Sequence, residues 1–207
     1  MIINIISVGV TLFLAIVVHE YAHGWMANKL GDPTAKEAGR LTLNPFRHID
    51  PIGTILLPGL LIAIRMMGQP TMLFGWAKPV PVNFSRLNHP KTDMIWVGLA
   101  GPAVNILIAT AAAQLFRLDL PVKALYAIYD IVIVNLILAV FNMIPVPPLD
   151  GSRLVTGVLP DRLAKSYMRL EPFGLLIVIA LLYFGAFQTV VLPVVDHLSN
   201  FLGVREP

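Results

Sequence analysis

Residues 94–116 carry no charged side chain, and residues 124–144 carry one, Asp130. A helix needs about 20 consecutive, mostly apolar residues to cross the hydrocarbon core of a bilayer. Two runs of that length in a chain of 207 residues point to a membrane protein before any motif is read. The composition agrees. Hydrophobic residues make up 57% and charged residues 13%, against roughly 25% charged in soluble domains. So few charges would hardly cover the surface that a soluble protein of this size exposes, which sets aside a soluble globular enzyme. The net charge of +3 raises nucleic acid as a partner. The basic residues form no dense cluster interleaved with aromatics, so no nucleic-acid partner is expected.

Residues 2–23 are apolar up to His19 and Glu20, and helical character extends to about Leu30, where Gly31, Asp32 and Pro33 stop it. The start lacks a basic leader and a small-residue cleavage site, so it reads as a span and not as a removable signal. Residues 34–50 are polar. Residues 52–67 are apolar but short, and Pro58-Gly59 interrupts them. Residues 70–84 mix Pro70, Gly75, Pro79 and Pro81 with β-formers, which predicts short strands or a small β-hairpin. The run over 124–144 ends at Pro145, Pro147 and Pro148, which cannot continue a helix. The expected spans are therefore 2–30, 93–116 and 124–145. Residues 173–204 add one more, followed by a second span or an interfacial helix. No internal repeat and no second domain is apparent, so residues 1–207 are expected to form a single integral-membrane domain.

Charge sets the expected topology. If 52–67 does not cross, Lys29, Lys36, Arg40, Arg47, Arg65, Lys78, Arg86 and Lys91 share one side with Arg153, Arg162, Lys165 and Arg169, leaving Arg117 and Lys123 opposite. If it crosses, the basic residues split nearly evenly. Cytoplasmic loops carry the excess of Lys and Arg, so 52–67 is expected to be re-entrant, with the N-terminus outside. Non-helical backbone at that depth is tolerated where it lines a cavity or is buried in protein.

With no cysteine in the chain, any metal must be held by His, Asp or Glu. His19-Glu20-Tyr21-Ala22-His23 is an H-E-x-x-H motif. On a helix its two histidines lie at i and i+4 on one face, where both imidazoles can reach one Zn²⁺, and Glu20 is placed to take a proton from a zinc-activated water. Ionisable residues inside an apolar helix are costly and mark function by default. A catalytic zinc usually takes three protein ligands and leaves the fourth position open. Asp150, after the proline-rich end of the 124–144 run, is the best-placed third ligand, being at the same end of the membrane. A cap for a helix beginning near Gly151 is its other reading. Asp130 lies toward the wrong end.

These residues carry a resemblance. HEYAH at 19–23, Gly101-Pro102-Ala103-Val104-Asn105, and Asn142 through Gly151 (an N-x-x-P-x-P-x-L-D-G pattern) are similar, in kind and order, to the motifs of the site-2 protease family of intramembrane zinc metalloproteases. The resemblance implies a transmembrane helix core, one catalytic zinc bound by His19, His23 and Asp150, Glu20 as general base, and membrane-embedded protein or peptide substrates. It also implies a zinc within the membrane plane, nearer the cytosol. The family's PDZ-like domain finds no room here, so regulation through one is not carried over.

Asn105 and Asn142 are candidate substrate-positioning amides, each with helix-to-helix hydrogen bonding as the plainer role. Phe74–Val82 is a candidate edge strand for an extended substrate. His48, His89 and His197 have no ligand-spaced partner, and Met66 and Met67 read as packing. The expected activity is hydrolysis of peptide bonds in membrane-embedded substrates. A zinc-binding membrane protein without protease activity, or a transporter with His19, Glu20, Asp130 and Asp150 along an ion path, stays as the alternative.

Overall fold

The computed structural model describes residues 2–69 and 75–207. Its α-helices of eight residues or more are α1 (Ile2–Lys29), α2 (Leu57–Met66), α3 (Pro90–Ala113), α4 (Val122–Asn142), α5 (Gly151–Val158), α6 (Asp161–Met168), α7 (Gly174–Tyr183) and α8 (Leu192–Phe201). Among the described residues, four stretches are long and apolar enough to cross a membrane: Ser7–Lys29, Pro90–Arg117, Val122–Asn142 and Asp161–Tyr183. A third or less of each is buried against the rest of the protein, so most of their apolar surface faces outward. In water that surface would be unfavourable, whereas lipid covers it at no cost. The protein is an all-α, multi-pass membrane protein.

The first three long stretches fall where the apolar runs put them. The fourth begins at Asp161 and not near residue 173, because α6 and α7 join through the short turn Glu171–Phe173. Arg162, Lys165 and Arg169 made that first half look like a polar loop. Further on, Phe187 meets Phe141 near the end of α4, with ring centroids 6.5 Å apart. At the other end of α4, Tyr126 donates to the Pro207 carbonyl at 2.7 Å. The segment holding α8 thus runs back along α4, where Val191, Val195 and Val204 share a core with Ile128, Val132, Leu136 and Ala109.

Helix α3 lies between α1 and α4 and packs on both. Pro102 sits inside α3 without ending it. Successive long helices alternate in direction, so the end of α1, the first half of α3 and the end of α4 meet at one level. That is where the polar side chains gather.

The small β-hairpin expected over residues 70–84 is not found. No strand occurs among the described residues, and residues 70–74, including Phe74 of the candidate edge strand, lie outside them. Residues 75–82 adopt neither helix nor strand, and the amides of Trp76, Lys78 and Val80 go to scattered acceptors and not to a partner strand. Trp76 N–H donates to the Gly53 carbonyl (3.1 Å) and Lys78 N–H to the His48 carbonyl (2.9 Å). Pro79 and Pro81 have no N–H to offer a ladder. Residues 51–66 form a six-residue wide turn running into the ten-residue α2. At about 1.5 Å per residue this reaches short of a ~30 Å hydrocarbon core.

Candidate active site

His19 and His23 project from the same face of α1, as their spacing requires. Their Nε2 atoms are 3.0 Å apart, and the rings meet edge to face with centroids 4.6 Å apart. Each Nδ1 is committed elsewhere. His23 Nδ1 lies 2.7 Å from the Val97 carbonyl oxygen, which can only accept, so this nitrogen carries the proton and Nε2 holds the lone pair. His19 Nδ1 lies 2.6 Å from Asn105 Oδ1. The two Nε2 lone pairs therefore point to a common place.

Asp150 reaches the same place. Its Oδ2 stands 3.0 Å from His19 Nε2 and 3.2 Å from His23 Nε2. It occupies the residue before α5, yet its side chain makes no capping hydrogen bond to that helix. The turn that delivers it is tight: a Cβ on Gly151 would run into the Met143 and Ile144 carbonyls.

The three ligand atoms lie within 4.8 Å of one another. A tetrahedral ion with bonds of ~2.0–2.1 Å spaces its ligands about 3.3 Å apart. The spacings here are close to that, and two imidazole nitrogens with a carboxylate oxygen suit zinc. Asp130, the rival ligand, is not in this group. Gly101 of α3 supplies the room. A Cβ there would stand 2.6 Å from His19 Nε2 and would overlap His23 Nε2 as well.

Glu20 stands beside the cluster and lines, with His19, His23, Asp150 and Asn142, a cavity of about 270 Å³. Its Oε2 accepts a hydrogen bond from Val80 N–H at 2.7 Å. Residues 75–83 form a strap over this side of the site. Arg40, 8% exposed, donates to the carbonyls of Lys78 (2.8 Å) and Pro79 (3.3 Å). Asp32 accepts from Asn83 N–H at 2.6 Å and closes the far end. His48 is buried, with Nε2 2.8 Å from the Thr42 carbonyl oxygen, and serves the strap through its own backbone.

Asn105 is fully buried and hydrogen-bonded on both halves of its amide, to His19 and to Asn135. Asn142 is half-buried and lines the cavity. Sequence reasoning assigned no role in the site to Asn135 or Arg40, and placed Val80 only within the candidate edge strand. Arg40 had one usable signal, a charge close to apolar turns. Val80 acts through its backbone and offers none.

The chain is similar to known metalloproteases. The model of peptidase family M50 matches residues 120–185. YwhC of Bacillus subtilis, a zinc metalloprotease by name, is 36% identical over 182 residues, covering 83% of this chain and 78% of that one. Rip2 of Mycolicibacterium smegmatis is 28% identical over 194 residues, covering 92% and 72%. The zinc metalloprotease MJ0392 of Methanocaldococcus jannaschii is 23% identical over 202 residues, covering 95% and 48%. No solved structure matches the chain. The fold and these likenesses define a multi-pass membrane zinc metalloprotease. The chain belongs to peptidase family M50, the site-2 protease family.

Proposed function

We propose that the protein hydrolyses peptide bonds of membrane-embedded substrates within the bilayer or just below its surface. In this reading His19, His23 and Asp150 hold one zinc, and Glu20 is the general base. One observation carries it: three candidate ligand atoms within 4.8 Å of one another beside a carboxylate and on a cavity, two of them carried by an apolar helix. At about 1.5 Å per residue, His23 lies roughly 9 Å and His19 roughly 15 Å in from the Lys29 end of α1. That depth favours hydrolysis inside the membrane over hydrolysis at its surface.

Zinc bound here supplies Lewis acidity and lowers the pKa of a coordinated water to about 7. Glu20 accepts a proton from the attacking water and passes it to the leaving amide nitrogen. His23 is held by the Val97 carbonyl and keeps its Nε2 lone pair directed at the site. Asn142, on the cavity wall, is the amide open to a substrate, while Asn105 is enclosed. The positive-inside asymmetry puts this end of the helices toward the cytoplasm, with 51–66 re-entrant on that side and the N-terminus outside. Residues 1–207 act as one catalytic domain.

The test uses detergent-purified protein and a transmembrane peptide substrate. Glu20→Gln is expected to bind zinc stoichiometrically and to lose cleavage by 10²-fold or more, on the order of a general base's contribution. Cleavage at the wild-type rate in the zinc-loaded variant would refute the general-base role.

A further inference from the structure

We propose that Asn135 is a positioning residue for the metal centre, acting through Asn105 to fix the tautomer and orientation of His19. The inference rests on His19 being a zinc ligand. Asn135 lies on α4 and is 2% exposed, and Asn105 lies on α3 and is 0% exposed. Asn135 Nδ2 donates to the Ile131 carbonyl at 2.8 Å. That carbonyl can only accept, so it settles which way the Asn135 amide faces. Asn135 Oδ1 then faces α3 and accepts from Asn105 Nδ2 at 2.7 Å. Asn105 Oδ1 in turn faces His19 Nδ1 at 2.6 Å. The proton of His19 therefore sits on Nδ1, and its Nε2 lone pair faces His23 and Asp150. Reversing either amide would set donor against donor or acceptor against acceptor between buried groups, at a cost of about 1–3 kcal/mol per unsatisfied group.

Packing between α3 and α4 explains one Asn–Asn contact. It does not explain a chain of fixed polarity that starts at a backbone carbonyl and ends on the nitrogen opposite the ligating one. Partners of this kind set the tautomer and basicity of ligating histidines, and their loss typically costs 10- to 100-fold in metal affinity.

The readout is zinc affinity, measured on detergent-purified protein that is stripped of metal and titrated with Zn²⁺ against a chromophoric chelator. Asn105→Leu is expected to weaken binding about 10- to 100-fold, and Asn135→Leu about tenfold. The double variant is expected to lose no more than Asn105→Leu alone, because Asn135 reaches the metal by no other route. Asn135→Asp is expected to restore affinity, since a neutral aspartic acid can donate to Ile131 and accept from Asn105. Unchanged affinity in Asn135→Leu overturns the relay. So does an equal loss in Asn135→Leu and Asn135→Asp, or losses that add in the double variant, as packing alone would give. If Asn135→Leu does not fold, as judged by helical circular dichroism, Asn135→Ala reads the same link. His19→Ala is the separate control: wild-type zinc affinity there overturns the ligand reading itself, and the relay with it.

Discussion

The backbone N–H of Val80 donates to Glu20 Oε2 at 2.7 Å. Pro79 and Pro81 have no N–H, so Val80 carries the only backbone donor of that tripeptide, and it is spent on the carboxylate next to His19. The bond restrains one oxygen of Glu20 and leaves the other for the proton transfer proposed above. Val80→Pro removes the donor while keeping the segment extended, and Val80→Ala keeps the donor. The Val80→Pro protein is expected to retain its zinc and to cleave a transmembrane peptide about 10- to 100-fold more slowly, the scale of a modest misplacement. Val80→Ala is expected to stay near wild type. Rate and zinc content measured on the same preparations check this, and equal rates in the two variants would show that Glu20 is positioned by something else.

Arg40 holds the strap from behind. Its Nη2 serves two carbonyls, those of Lys78 and Pro79. Hydrogen bonds to a charged group contribute about 1.5–3 kcal/mol, so Arg40→Ala is expected to loosen residues 76–82 locally without unfolding the helices. Hydrogen exchange at the Lys78 and Val80 amides is expected to rise at least tenfold, with zinc content unchanged. Arg40→Lys keeps the charge but not the planar fork and is expected to fall between. Unaltered exchange in Arg40→Ala would mean that the strap is held at its other anchors, Gly53, His48 and Asp32.

How much of this was legible beforehand depended on the range of the interaction. The long helices follow from local apolar runs, and the meeting of His19 with His23 follows from the pitch of one helix. Spacing alone leaves Asp150 a ranked candidate, because a loop aspartate before a glycine caps helices as readily as it binds metals, and it is the family resemblance that implies it as a ligand. Its approach to His19 depends on how α4 packs against α3 and α1, which no local pattern encodes. The strap was read as a hairpin because Trp76, Val80 and Val82 favour extended backbone. Residues 75–82 form no strand: the prolines deny the segment a ladder, and a side-chain carboxylate takes the amide of Val80 instead. Asn135 looked like any polar residue in a membrane helix, since its meaning lies in a contact with a different helix.

Metal removal separates the two halves of the site. Chelation is expected to abolish cleavage by the wild-type protein, and added Zn²⁺ to restore it. Glu20→Gln is expected to recover zinc but not cleavage. Zinc binds the folded site, so the apo protein is expected to unfold at a lower temperature, with a shift that grows with free zinc. A melting temperature indifferent to zinc in the wild-type protein would place the ion outside the folded core.

Gly101 makes the sharpest prediction, because stability and metal binding should part company. A Cβ there would stand 2.6 Å from both Cε1 and Nε2 of His19 and would overlap His23 Nε2. Overpacking of this kind typically costs about 1–3 kcal/mol. Alanine, however, favours a helix over glycine by roughly 0.5–1 kcal/mol, so α3 itself gains. The strain falls on the two imidazoles, whose Nε2 atoms, the proposed ligands, must move. Gly101→Ala is expected to keep its helical circular dichroism and to lose zinc affinity by 10-fold or more. Gly9 of α1 has no neighbouring atom within 4 Å of the position a Cβ would take, so Gly9→Ala is expected to bind zinc as the wild type does. Metal content and circular dichroism on the two variants decide the matter. Wild-type zinc affinity in Gly101→Ala would show that the imidazoles can give way without leaving the ion, and that the close approach of α3 is a packing feature alone.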